Sequence, residues 1–231
     1  IQFDTIGWGE KIIPKLSETD CGVIGFAGTT ARISALCGIG LSRAHWRSNY
    51  IQHMNKGGMK SCFKNPDRVE FSPVGSVDGM CLFVSRKVWQ KVRFDEKTFP
   101  NFHLYDLDFT TAVFRAGYIN YICNTVIVEH FSEGYYTQEW LAATIDFNNK
   151  WRDALPLYVP GFPCIKNLDK YVRSREFRFI KAMMKSRGKC SWELIDGLCR
   201  QYYRKYPFYR SIVVRFHAYR YRKRWKREGR L

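Results

Sequence analysis

Phe102-His103-Leu104-Tyr105-Asp106-Leu107-Asp108-Phe109 sets two carboxylates at the mouth of a helix that the pattern carries through Ala116, with Gly117 placed to end it. His130 follows Asp108 by 22 residues, at the end of the apolar run Val126 to Val128. An acidic helix start with an imidazole just past a later strand is a set from which a general base and a metal ligand can be drawn. Each residue also has an ordinary reading. Aspartate is among the best helix caps, and its charge suits a helix N-terminus. A single histidine at a strand end is commonly solvated or hydrogen-bonded.

Outward from this segment the pattern alternates. Val23 to Ala27, Met80 to Val84, Tyr118 to Ile122 and Thr125 to Glu129 read as strands. Ile12, Ile13 and Leu16 fall at helical spacing, and Arg86 to Val92, Asp106 to Ala116 and Tyr136 to Trp151 read as helices. Strands alternating with helices predict an α/β sheet with flanking helices. Residues 40–75 are polar, aromatic and punctuated by Gly57 and Gly58, and are expected to form a long loop. Pro156, Pro160 and Pro163 mark a linker, dividing the chain into 1–155 and 156–231. The Gly38/Gly40 pair lacks the rest of a dinucleotide fingerprint, and no phosphate-binding Gly-Lys-Ser/Thr occurs.

The 231 residues carry a net charge of +17, and its distribution is uneven. From Cys164 to Leu231 there are 21 Lys/Arg against 5 Asp/Glu, so residues 1–163 are nearly neutral. The second part reads as a basic helical module. Ile212, Phe216, Tyr219 and Lys223 fall at helical spacing with Arg215, Arg220, Arg222 and Arg224 between them, a pattern suited to an anionic membrane surface. Nucleic-acid binding and a plain solvated face are the alternatives. No apolar run is long enough to span a bilayer, and the N-terminus has no signal-peptide pattern. Eight cysteines without a Cys-x-x-Cys pair point to a reduced, cytoplasmic protein, peripheral on the inner face of the cell membrane where the basic module docks, and to no zinc site.

Val77-Asp78-Gly79, the apolar strand after it, Phe94-Asp95-Glu96, the His103-x-Tyr105-Asp106-x-Asp108 segment, Ala116-Gly117-Tyr118 and His130 occur in a definite order. That order resembles the second half of the GT-A glycosyltransferase fold. It is most similar to the family 2-like branch containing the streptomycin-biosynthesis StrF-type domain, over roughly residues 1–151. The resemblance implies a partial GT-A sheet, and a glycosyltransferase moving a sugar from a nucleotide-sugar donor to a glycan or lipid-linked acceptor with inversion. It implies that Asp106 is the catalytic base, that Asp108 supports the site, and that Asp78 and Gly79 line the acceptor side. His130 would complete a divalent metal site for Mn²⁺ or Mg²⁺. His103 and Trp46 are expected near the substrate. The family's nucleotide-binding half, with its acidic metal motif, is expected to lie before residue 1. The alternative function is a non-catalytic protein that binds glycan, lipid or nucleic acid through its basic tail.

Overall fold

Short β-branched runs broken by glycine and by helical periodicity give a mixed α/β protein. The computed structural model describes residues 1–36, 44–132, 137–185 and 190–231. Cys37, the Gly38/Gly40 pair and Tyr136 lie outside the described residues. The chain divides into two units, one of residues 1–33, 38–134 and 150–164, the other of residues 34–37, 135–149 and 165–231.

The first unit begins with β1 (Gln2–Phe3), α1 (Trp8–Leu16), β2 (Cys21–Gly25), β3 (Ala27–Thr29) and β4 (Ala31–Arg32). It continues through β5 (Trp46–His53), β6 (Met59–Lys64), β7 (Phe71–Val74), β8 (Ser76–Val77) and β9 (Phe83–Val84). Helices α2 (Arg86–Lys91) and α3 (Tyr105–Arg115) precede β10 (Ile119–Cys123) and β11 (Val128–His130). After α4 (Gln138–Lys150), β12 (Leu157–Tyr158) completes the unit's strands. One sheet runs β1-β11-β5-β3-β8 with β6 also on β5, a second runs β7-β10-β2-β9, and β12 pairs with β4. The β10–β2 and β11–β5 pairs are parallel, and the remaining pairs are antiparallel.

Alternation along β2 sends neighbours to opposite faces. Val23 packs with Val88 of α2 and with Phe109 and Val113 of α3, whereas Ile24 packs with Ile12 of α1 and with Cys123 and Val128. Between these layers sits a polar hub. Asn120, fully buried in β10, accepts from the Val23 N–H at 3.0 Å and donates to the Thr110 carbonyl at 2.8 Å and the Gly75 carbonyl at 3.3 Å. Gly22 lets the strands close around it, because a Cβ there would stand 2.6 Å from the Asn120 Oδ1.

Three expectations change. Residues 46–53 and 59–64, expected in a loop, form a hairpin paired from Ser48–Lys64 to His53–Met59. Gly57 and Gly58, both at positive φ, turn it. The largely solvent-facing β6 lacks the apolar run by which a strand is recognised. Met80 to Val84 is strand only at its end, since the Asp78 side chain accepts from the Met80 N–H at 3.1 Å and bends the chain first. The proline-containing segment is no linker. Leu157 and Tyr158 pair with Arg32 and Ala31, and the Val159 N–H donates to the Thr30 carbonyl at 3.0 Å. Proline is tolerated beside such an edge strand, and the first unit therefore extends to residue 164.

The second unit holds residues 138–149 of α4 with α5 (Leu168–Lys185), α6 (Trp192–Lys205) and α7 (Tyr209–Arg227). Its core gathers Leu141, Ile180, Met183, Ile195, Leu198 and Val214. Ser191 caps α6 by accepting from the Leu194 N–H. No helix among the described residues is long and apolar enough to cross a membrane. The seven cysteines among the described residues are free thiols.

Replacing Asn120 by Ala takes a partner from each of three buried backbone groups, and is expected to destabilise the protein by about 3 kcal/mol in urea unfolding. A loss under about 0.5 kcal/mol, as at an ordinary surface position, would show that the hub is not structural.

Candidate functional site

The acidic turn is built without a side-chain cap. The residue before α3 is Leu104, in the left-handed region at φ 63° with its side chain buried. A bulky residue there costs on the order of 1–3 kcal/mol. Asp106 is thereby released from capping and reaches toward the end of β8, where its Oδ2 accepts from the Gly79 N–H at 2.7 Å. Only glycine fits, because a Cβ at Gly79 would stand 2.8 Å from the Asp106 Cβ. Thr110 stitches the same two elements, donating to the Asp106 carbonyl at 2.8 Å and accepting from the Val77 N–H at 3.1 Å.

Asp78 follows β8 directly, its own N–H donating to the Ala27 carbonyl at 2.8 Å. It forms an electrostatic pair with Asp106. Burial, then the Asp78 charge, pushes the Asp106 carboxyl up to about 6, against the backbone N–H groups of Leu107 and Gly79 that favour ionisation. Burial raises Asp78 as well. Two acids in one poorly hydrated place cannot both ionise freely, so they titrate as a pair. Two phenols border them. Burial pushes Tyr105 up with help from Asp106 and Asp78, and pushes Tyr50 up with help from Cys62 and Asp78.

Asp108, two residues along the same turn, has a different setting. Only 2% exposed, it accepts from the Lys150 Nζ and from the Trp151 Nε1, both at 2.8 Å. Lys150 also meets Asp95 at 2.7 Å. Burial alone would lower Lys150, but the two carboxylates outweigh it and hold the ammonium above its ordinary value. Asp108 therefore anchors the helix start rather than facing the Asp78–Asp106 pair.

His130 closes β11 beside β5. Its Nδ1 lies 3.0 Å from the Gln52 Oε1, its Nε2 lies 3.1 Å from the Ser132 Oγ, and its ring stands edge-on to Tyr50 at 6.2 Å. Burial lowers its pKa and keeps the imidazole neutral. Both ring nitrogens are thus engaged, and among the described residues no group of three or more His, Cys, Asp and Glu is placed to hold a metal ion. His103 stacks edge-on with Phe102 next to the acidic turn. Trp46 sits opposite Thr29, two rungs along from the Ser48–Ala27 pair beside Asp78.

Protein-family models, curated proteins and solved structures contain no match to this chain.

The structure thus brings together Asp78, Gly79 and Asp106, sets His130 edge-on to Tyr50, and gives Asp108 to Lys150. Tyr50, Thr110 and Asn120 escaped the sequence reading. The one available signal was an asparagine inside the otherwise apolar Tyr118 to Ile122 run, since buried polar residues are informative where they interrupt a core pattern.

The Asp106 carboxyl titrates near 6 when folded against an ordinary value of 3.8. Folding thus favours its protonated form, and ionisation costs stability as pH rises from about 4 to about 7. Asp106→Asn lacks that cost. Its stability relative to the unsubstituted protein is expected to rise across this window in urea unfolding, and a pH-independent difference would contradict the assigned environment. Gly79→Ala is expected to cost about 1–3 kcal/mol through the Asp106 contact.

Proposed function

We propose that the first unit is the acceptor-side part of a GT-A-type glycosyltransferase that moves a sugar from a nucleotide-sugar donor to a hydroxyl of a glycan or lipid-linked acceptor. The observation carrying this reading is the Asp78–Asp106 pair, with Asp106 fixed by the Gly79 N–H and raised to about 6. An acceptor hydroxyl is a weak nucleophile. A carboxylate within hydrogen-bond reach takes its proton as the new glycosidic bond forms and the nucleoside diphosphate departs, an effect typically of ~10²–10⁴-fold. A base titrating near 6 is mostly ionised at neutral pH, yet is a stronger base than an ordinary aspartate. Single displacement by one such base inverts the anomeric centre.

In this reading Asp78 tunes Asp106, and Gly79 holds the base in place. Asp108, through Lys150 and Trp151, is a positioning residue. His103 and Trp46 are offered as acceptor contacts. Of the family's metal site for Mn²⁺ or Mg²⁺, the described residues supply His130 alone, so the proposal rests on the carboxylates.

The test is sugar transfer by the full-length protein from a panel of nucleotide sugars, with and without Mn²⁺. Activity is expected to fall as pH drops through about 6, where Asp106 protonates. Asp106→Asn is expected to lower turnover by at least ~10²-fold while its circular dichroism spectrum is unchanged. Retained turnover in that variant would sink the base assignment, and the absence of binding to every donor would sink the transferase reading.

A further inference from the structure

Helix α7 carries two apolar stripes, and the core of the second unit uses one of them. Val214, Ala218, Tyr221 and Trp225, at helical spacing, turn inward, and the Trp225 Nε1 donates to the Met184 carbonyl at 3.3 Å. Ile212, Phe216 and Tyr219 fall on the opposite side and are 65%, 57% and 65% exposed. Phe208, just before the helix, is 84% exposed. An amphipathic helix needs only the inward stripe to fold. The outward one is left in water with large aromatic and aliphatic side chains.

Charge frames that outward stripe. From Ser211 to Arg227 the helix holds seven Lys/Arg and no Asp/Glu. At 3.6 residues per turn, Arg215, Arg222 and Lys226 run along one flank, Arg220 and Arg227 along the other, and the exposed Lys223 ends the stripe itself one turn beyond Tyr219. The Arg220 guanidinium lies over the Phe216 ring at 5.6 Å, so charge and ring already share one surface. The next acid, Glu228, is held by Arg224 at 2.6 Å and Arg230 at 3.1 Å.

We infer that this face of α7 docks on an anionic lipid bilayer, with the helix lying in the plane of the interface. Phe208, Ile212, Phe216 and Tyr219 enter the boundary between headgroups and acyl chains. The flanking arginines and lysines bend outward to lipid phosphates, as long basic side chains do. A second copy of the chain is a poor occupant, because two such faces would set cation against cation. Nucleic acid would answer the charge but leave the aliphatic Ile212 unused. An anionic bilayer answers both. The inference concerns the second unit and is independent of the transferase reading.

The experiment is flotation of the whole protein with vesicles of phosphatidylcholine containing phosphatidylglycerol, and with vesicles of phosphatidylcholine alone. Binding is expected to the first and to be weak on the second, with part of it surviving high salt. I212S/F216S, which changes exposed positions only, is expected to lower partitioning by about tenfold or more at unchanged melting temperature. R222E/K226E is expected to lower it about fivefold or more, and carries the test if the first variant misfolds. Equal partitioning onto both vesicle types, or variants that bind as the parent does, would overturn the inference. So would a parent protein that self-associates without lipid and loses that association in I212S/F216S.

Discussion

One buried amide holds together the parts of the first unit on which its site depends. Asn120 spends its oxygen on β2 and its two N–H groups on the Thr110 carbonyl of α3 and the Gly75 carbonyl just before β8. Asp106 rides on α3, and Asp78 follows β8. The elements carrying the two interacting carboxylates are therefore referenced to the same side chain, from inside the core. Hydrogen bonds in such a dry place are strong because water cannot compete, and leaving one unmade is costly for the same reason. The sheet, the helix and the acidic pair form one construction.

Two aspartates separated by a single residue acquire different partners. Asp108 is neutralised by an ammonium and an indole N–H, and its place in the structure is that of a tether. Asp106 receives only backbone N–H groups, and burial together with the Asp78 charge pushes it up to about 6. Burial raises Asp108 as well, against the pull of Lys150 and Trp151. One helical turn thus supplies an ion-paired anchor and an acid that faces another acid. Helix geometry alone does this, since residues two apart point in different directions.

The order of strands and helices was readable because periodicity survives in the buried segments. The limits of α3 were anticipated to within a residue, as were those of α2. Failures came where local rules give way to pairing. Strand β6 is too exposed to show an apolar pattern, the buried positions of β5 are the polar Arg47, Ser48 and Asn49, and Leu157–Tyr158 becomes a strand only because β4 lies beside it. Asp78, Gly79 and Asp106 could be picked out as a set in sequence. That Asp108 belongs to Lys150, 42 residues away, could not, because ion pairing across that span is a property of the fold. Tyr50 lies within residues 40–75, whose polar, glycine-punctuated composition carries no strand signal.

Leu104 combines a left-handed backbone with a side chain sunk in the core. Relaxing its backbone would mean pulling a leucine into water, so the turn before Asp106 is locked by two opposed demands. The ordering entropy of that turn is consequently settled when the chain folds. Under the transferase proposal, an acceptor meeting Asp106 would encounter a group with little freedom left to lose, and selectivity there would come from the shape of the acceptor rather than from adjustment of the turn.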